Sequence, residues 1–254
     1  MNLKGFENLA RHVPELNSTA GGMKIAASAV GIMGLTTLYF ILTDNIPTWT
    51  LDSQIVVMAL GYLLLSRFFT QKKKFIEKYA DDAFRQAFGR FALPGLAVIF
   101  ASIAHIAYMN GPKFTNPTIL TIFLWAGWFF IVVGALLGMR AALTFGIDYL
   151  TMLYVYFPEE GRMIKSNIYG VIRHPIYGAA LRLSIGLALL NAGIYPIVFV
   201  LILPLGVFGW LRLVEEKELL ERIPEYREHR KQVPAFFPYP NSIPAFFKFL
   251  LTGK

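Results

Sequence analysis

The sequence predicts an all-α membrane protein, a polytopic transmembrane helical bundle of about six spans that ends in a helical hairpin. Two observations support this fold class. Hydrophobic residues make up 56% of the 254 residues, more than is usual for a soluble domain. Charged residues make up only 16%, and they cluster between uncharged apolar stretches. Such clustering is typical of membrane spans joined by polar loops.

The predicted spans follow from the length of the apolar runs. Crossing about 30 Å of hydrocarbon takes roughly 20 mostly apolar residues. The tripeptide Asn191-Ala192-Gly193 separates the last two runs and is typical of a tight turn, so these runs predict a helical hairpin. The candidate spans are residues 25–43, 55–69, 91–109, 118–139, 176–190 and 194–210.

The lysines and arginines predict the orientation of these spans. Of the 24 lysines and arginines, only Lys113 falls in a loop on the alternate side of the predicted bundle. Because basic residues are retained on the cytoplasmic side, both termini are expected to be cytoplasmic. The host membrane would be the inner membrane of a prokaryotic cell or the endoplasmic reticulum of a eukaryotic one.

Two regions are expected along the chain. Residues 1–139 form an N-terminal membrane region with four spans, and residues 140–254 combine a polar segment with the hairpin. Gly134 and Gly138 have the GxxxG spacing of closely packed helices. This spacing indicates packing within the chain or between chains, so a homo-oligomer is possible. His105 lies inside the third span and is interpreted as a hydrogen-bonded packing residue.

Several functional classes are disfavoured by composition. The chain has no cysteine, which excludes disulfides, thiolate metal sites and cysteine nucleophiles. The four histidines lie far apart and lack ligand partners at helical spacing, so no metal is expected. The net charge of +8 is attributed to basic loops that face anionic lipid, and no nucleic-acid partner is expected.

The region around residues 154–238 carries the polar residues of greatest interest. Arg173 and His174 precede Pro175, which suits the first turn of a helix. At the other end of the hairpin, Glu215 and Glu216 emerge from the last span. The hairpin therefore predicts that these two groups lie side by side. The residues alone leave two interpretations open, a functional site and a belt of salt bridges at the level of the lipid headgroups.

This region resembles the isoprenylcysteine carboxyl methyltransferase and phospholipid methyltransferase family of integral membrane enzymes. The resemblance covers about 85 residues, roughly the last third of the chain. The chain departs from the family pattern at Ile223-Pro224, where Phe-Gly is usual, and at His229, where a tyrosine is usual. The resemblance is carried by Tyr169 with Arg173-His174-Pro175-Ile176-Tyr177-Gly178, by the hairpin that follows, and by Glu215-Glu216, Leu219, Glu225-Tyr226 and Val233-Pro234.

The resemblance implies a cytoplasmic catalytic segment that uses S-adenosylmethionine as methyl donor, without a metal. Aromatic rings attract a sulfonium cation, and carboxylates accept hydrogen bonds from ribose hydroxyls or amines. The residues expected to bind the donor are Tyr169, His174, Pro175, Tyr177, Glu215, Gly161 and Ile164. Those expected to act on the acceptor are Arg212, Arg173 and Glu216.

The acceptor is expected to be a lipophilic small molecule or a lipidated substrate that enters from the bilayer. A carboxylate is nucleophilic at neutral pH and needs only an orienting cation such as Arg212 or Arg173, whereas an amine must first lose a proton. Glu216 or His229 could act as that base, but the sequence places neither residue clearly at the site. Prenylcysteine-like O-methylation is therefore favoured, with phospholipid N-methylation as the alternative. A transporter or a non-catalytic scaffold is a more distant alternative.

Overall fold

The computed structural model describes residues 4–46, 48–161 and 167–253. The described residues form α-helices joined by turns, longer loops, 3-10 turns and the π-helical turns Phe88–Ala92 and Leu211–Glu215, with one isolated bridge between Lys113 and Gly193. The α-helices are α1 (Phe6–His12), α2 (Thr19–Thr43), α3 (Thr50–Thr70), α4 (Lys72–Tyr79), α5 (Ala83–Ala87), α6 (Leu93–His105), α7 (Pro117–Phe145), α8 (Ile147–Leu150), α9 (Pro175–Asn191), α10 (Ile194–Trp210), α11 (Glu216–Arg222), α12 (Tyr226–Gln232) and α13 (Ile243–Thr252).

The long helices confirm the polytopic fold. Within the described residues, five stretches are long and apolar enough to cross a membrane. The predicted fifth span, α9, is an apolar helix of 17 residues, shorter than these five. The predicted division after Met139 falls inside the continuous helix α7 and stays a prediction. The five long stretches are Thr19–Thr43, Thr50–Thr70, Lys72–His105, Pro117–Phe145 and Ile194–Arg222.

The predicted hairpin is formed by α9 and α10. The turn between them places Ala192 in the left-handed region, with φ of 55°. The Lys113 ammonium donates to the Asn191 side-chain oxygen at 2.6 Å, and the Ile194 amide donates to the Pro112 carbonyl at 2.8 Å. These bonds fix the turn, so the beginning of α9 and the end of α10 lie side by side.

The GxxxG glycines bring α7 close to α9 of the same chain. A Cβ atom at Gly134 would lie 3.0 Å from the Leu183 amide nitrogen, and one at Gly138 would lie 3.4 Å from the Ala179 Cβ. The contact at Gly134 needs a residue without a side chain, whereas the distance at Gly138 is that of ordinary van der Waals contact. The glycine face is therefore occupied within the chain, and the structure gives no support to a homo-oligomer formed through it.

His105 is a buried packing residue, as the sequence indicated. Its Nδ1 lies 2.7 Å from the Gln54 side-chain oxygen, and its Nε2 lies 3.0 Å from Asp44 Oδ2. The imidazole stacks on the Phe40 ring with centroids 3.8 Å apart. This group, called the Asp44–His105 cluster below, joins α2, α3 and α6 at the end where α10 begins.

Candidate active site

The site begins where the chain enters α9. Pro175 is the first residue of the helix, a position where its missing N–H group costs nothing. The preceding amides of Arg173 and His174 donate to the carbonyls of Pro234 and Ala235 at 2.9 and 3.0 Å. The segment that follows α12 therefore lies along the start of α9 and fixes the backbone of both residues.

The second half of the site comes from the end of α10. A π-helical turn, Leu211–Glu215, connects α10 to α11. π-helical turns are rare and occur frequently at functional sites. Here the turn lies immediately before Glu216, and both Glu215 and Glu216 reach His174.

His174 lies between these two carboxylates. Its Nε2 is 3.0 Å from Glu216 Oε1, and its Nδ1 is 3.4 Å from Glu215 Oε1. Carboxylates only accept hydrogen bonds, so the doubly protonated imidazolium suits both contacts. Burial lowers the pKa of His174, but the two carboxylates outweigh burial and raise the pKa above its ordinary value.

Glu216 is the centre of the ionic network and is only 1% exposed. Its Oε1 accepts a hydrogen bond from Arg173 Nε at 2.7 Å, besides its contact with His174. The Tyr226 hydroxyl donates to the same oxygen at 3.2 Å. Burial and the negative charge of Glu216 raise the pKa of Tyr226, so this hydroxyl remains a donor. Glu216 thus connects the residues at the start of α9 with α11 and α12 through the three contacts of its Oε1 atom.

The second oxygen of Glu216 faces two further arginines. Arg212 Nε and Arg230 Nη1 each lie 3.6 Å from Oε2, too far for a hydrogen bond. No hydrogen bond to Oε2 is present among the described residues. Arg212 is one of the three residues predicted to act on the acceptor, with Arg173 and Glu216, and its side chain is 41% exposed.

Glu215 is held differently and remains partly accessible. The Tyr177 hydroxyl donates to its Oε2, and its side chain is 17% exposed. The Tyr177 ring lies 6.0 Å from the Trp210 ring, whose indole N–H donates to Ser66 Oγ at 2.8 Å. An accessible carboxylate beside aromatic rings is the combination expected for binding an organic cation.

Tyr169 lies next to this network and has an unsatisfied hydroxyl. Its ring stacks on Phe145 with centroids 5.0 Å apart, and its hydroxyl makes no hydrogen bond among the described residues. Burial and the charge of Glu215 raise the pKa of Tyr169, so the hydroxyl stays protonated. A buried polar atom without a partner fits a site that a ligand completes.

The predicted residues are therefore brought together to different degrees. Gly161 packs against Tyr154, because a Cβ atom there would lie 2.8 Å from the Tyr154 Cβ. Ile164 lies outside the described residues. The residues that contact one another in the ionic network are Arg173, His174, Tyr177, Arg212, Glu215 and Glu216.

Two residues of the network carried no predicted role. Tyr226 is 5% exposed and contacts both His174 and Glu216. It stands in the Glu225-Tyr226 pair of the family pattern, so the sequence held a signal for it. Arg230 stands outside that pattern, and it reaches Glu216 only because α12 folds back over the site.

Comparison with known proteins supports one family. Residues 122–225 match the model of the phospholipid methyltransferase family. The matched residues make up about two fifths of the chain and are similar to a methyltransferase domain of integral membrane enzymes. The match confirms the family resemblance, and the domain includes α9, α10 and both glutamates of the site. No curated protein and no solved structure matches the chain.

Proposed function

We propose that this protein transfers the methyl group of S-adenosylmethionine to a lipophilic acceptor that resides in the membrane, on the cytoplasmic side. The observation that carries the proposal is the arrangement of His174 and Tyr177 against Glu215 inside the methyltransferase domain. These residue types suit a cationic donor that carries hydroxyl and amino groups.

The donor residues have distinct proposed roles. Tyr177 and Tyr169 present aromatic rings to the sulfonium, and Glu215 accepts hydrogen bonds from the ribose or the amino group. His174 is held by Glu216, and it fixes the position of Glu215. Pro175 sets the start of α9, while Gly161 and Ile164 are proposed to close the pocket from the preceding segment. When bound, the sulfonium supplies an activated methyl group for direct displacement.

The proposed acceptor is lipophilic because the site lies at the ends of membrane-spanning helices. A mostly apolar cavity with room for about one water molecule lies between α3, α6, α9 and α10, and Tyr177, Leu181 and Ser184 line it on α9. The cavity therefore reaches the residue that holds Glu215. An acceptor with a hydrocarbon chain could enter from the bilayer without crossing water.

A carboxylate acceptor of the prenylcysteine type is favoured by the state of the ionisable groups. Glu216 is surrounded by arginine side chains and His174, and His174 is held between two carboxylates. Neither group is free to remove a proton from an ammonium acceptor, whereas a carboxylate needs no base. Arg212 and Arg173 would orient the carboxylate. Phospholipid N-methylation is the second candidate, favoured by the description of the matching family.

The test is methyl transfer by the purified protein in lipid nanodiscs with labelled S-adenosylmethionine. An S-prenylcysteine and phosphatidylethanolamine are offered separately. Label that alkali releases from the S-prenylcysteine indicates an ester, and alkali-stable label on the phospholipid amine indicates N-methylation. Absence of transfer to either acceptor would contradict the proposal.

A calorimetric titration tests donor binding without any acceptor. Glu215→Ala and His174→Ala are each expected to weaken S-adenosylmethionine binding by about tenfold or more, because a charge-assisted contact is lost. Glu221→Ala is the matched control, since Glu221 is an exposed carboxylate on α11. Affinity that is equal in all three variants would rule out this pocket.

A further inference from the structure

Arg212 and Arg230 have a geometry that the ionic network alone does not explain. One guanidinium nitrogen of each arginine lies 3.6 Å from Glu216 Oε2, beyond hydrogen-bond distance, and Oε2 itself has no hydrogen-bond partner among the described residues. The other oxygen of Glu216 is already bonded to Arg173, His174 and Tyr226. One buried carboxylate thus lies beside two arginines whose side chains are 41% and 30% exposed, so their N–H donors can reach a ligand.

The charge balance favours an anion at this position. Arg173, His174, Arg212 and Arg230 face the carboxylates of Glu215 and Glu216. The positive groups outnumber the negative ones, and the excess lies on the side of Arg212 and Arg230. Paired guanidinium groups are well suited to bind phosphate or carboxylate, because their planar donors match two oxygens of the anion.

The surroundings of Arg212 indicate from which side the anion comes. Leu205 and Leu213 are 74% and 76% exposed, and they belong to the apolar surface of α10 and the π-helical turn. The Arg212 guanidinium lies 5.0 Å from the centre of the Phe208 ring, on that same surface. Such a surface faces hydrocarbon in a membrane, so an anion that reaches Arg212 there belongs to a molecule anchored in the lipid.

We propose that Arg212 and Arg230 form a binding site for the oxyanion of the lipid acceptor, which is a phosphate or a carboxylate. This inference rests on the proposed methyl transfer and deepens it, because it assigns Arg230 and gives the pair a common ligand. The two arginines hold the polar end of the acceptor at the membrane edge, beside Glu215 and Tyr177. The buried Glu216 carboxylate positions both guanidinium groups through its Oε2 atom.

Arg230→Gln and Arg212→Gln test the proposal in nanodiscs, with kcat and KM measured separately for donor and acceptor. Each variant is expected to raise the acceptor KM by roughly tenfold or more with an unchanged donor affinity, and kcat falls as well if the oxyanion is the carboxylate that receives the methyl group. Arg227→Gln is the matched control, because Arg227 is an exposed arginine on the same helix. Arg230→Lys should keep only part of the acceptor affinity that Arg230→Gln loses, since an ammonium lacks the planar donor geometry of a guanidinium.

The source of the oxyanion is read from paired acceptors. If the oxyanion is phosphate, the variants methylate phosphatidylethanolamine poorly. They methylate a long-chain amine without phosphate as well as the wild type does. If the oxyanion is a carboxylate, the variants methylate the S-prenylcysteine poorly. An acceptor KM equal to that of the Arg227→Gln control would overturn the proposal. Weaker S-adenosylmethionine binding with an unchanged acceptor KM would also overturn it, because the anion would then be the carboxylate of the donor.

A binding measurement keeps this inference separate from the proposed function. Dihexanoylphosphatidic acid and S-farnesylcysteine are titrated into the detergent-solubilised protein, and the thermal midpoint is followed. Stabilisation of the wild type by either compound, lost in Arg230→Gln and kept in Arg227→Gln, supports the oxyanion site even if methyl transfer fails. Methyl transfer without any such difference retains the proposed function and removes the oxyanion site.

Discussion

Two buried histidine–carboxylate clusters lie at opposite ends of the helical bundle. In the Asp44–His105 cluster, one carboxylate and one amide face the two ring nitrogens of a histidine that is 0% exposed. In the site, two carboxylates face His174, and the exposed guanidinium of Arg212 lies beside them. A histidine with a carboxylate partner is therefore not in itself a sign of catalysis.

The clusters differ in what their polar groups can still contact. The Gln54 amide donates to the Ser102 carbonyl at 2.9 Å, and the Asn110 amide donates to Asp44 at 3.1 Å. These bonds join α3, α6 and the residue that follows α2, and they leave no exposed charge, although Asp44 Oδ1 makes no hydrogen bond among the described residues. At the other end, the side chains of Glu215 and Arg212 remain partly exposed. We interpret the fully buried cluster as a packing feature, and the cluster with exposed charge beside buried charge as the candidate binding site.

The largest expected effect is that of Glu216→Gln. Removing this carboxylate leaves Arg173 and His174 buried without their partner, which costs about 3–5 kcal/mol of stability. Methyl transfer should fall by at least about 100-fold, because the residues proposed to bind the donor and the acceptor both contact Glu216 or its partners. Thermal unfolding in detergent and the nanodisc assay measure the two effects. Glu221→Gln is the control, and comparable losses in it would remove the special role of Glu216.

The next effect is a pH dependence that originates at His174. Its pKa is raised in the folded protein, so its stabilising contribution is complete below the ordinary value of 6.5. The contribution is lost as the pH rises through the raised pKa. The stability difference between the wild type and His174→Gln should therefore shrink with increasing pH. Thermal midpoints of both proteins across that range test this, and a difference that grows with pH would contradict it.

His105→Ala is expected to separate stability from binding. The variant loses the ring that Asp44 and Gln54 contact, so stability should fall by about 2–4 kcal/mol. The affinity for S-adenosylmethionine should stay within about twofold of the wild type, because the site lies at the other end of the bundle. Titration of the folded fraction measures this. A large loss of affinity would make the two clusters functionally coupled.

The smallest expected effects concern the contact between α7 and α9. Gly134→Ala should cost about 1–3 kcal/mol, because the new Cβ would lie 3.0 Å from backbone nitrogen and must displace α9. Gly138→Ala should cost less than about 1 kcal/mol, because its nearest neighbour is a side-chain carbon at 3.4 Å. Thermal unfolding of both variants compares them. Equal losses of stability in the two variants would show that the distance to α9 does not determine the effect of the added methyl group.

Much of the fold could be predicted because it depends on local sequence. Uninterrupted apolar runs give the long helices, and the turn at Asn191-Ala192-Gly193 gives the hairpin. Once the hairpin is known, the ends that carry His174 and Glu215 must be neighbours. The contact between these residues was therefore predictable, whereas the π-helical turn that precedes Glu216 had no signal in the sequence.

The remaining contacts depend on how distant segments pack. Asp44, Gln54 and His105 come from three helices, and hydropathy does not specify which faces of those helices meet. Arg230 reaches Glu216 only after α12 turns back across the site. The sequence likewise did not specify whether the GxxxG glycines pack against another helix of this chain or against a second chain. In the structure, Gly134 lies against the backbone of α9.

The sequence by itself determined the membrane helices, the hairpin and the family motif, because these follow from hydrophobic length, turn residues and local spacing. Only the tertiary structure decided which charges are buried and which remain accessible. Burial depends on the surface that other helices cover, and no single segment carries that information. This difference separates His105, which is closed inside the bundle, from the polar groups that surround His174.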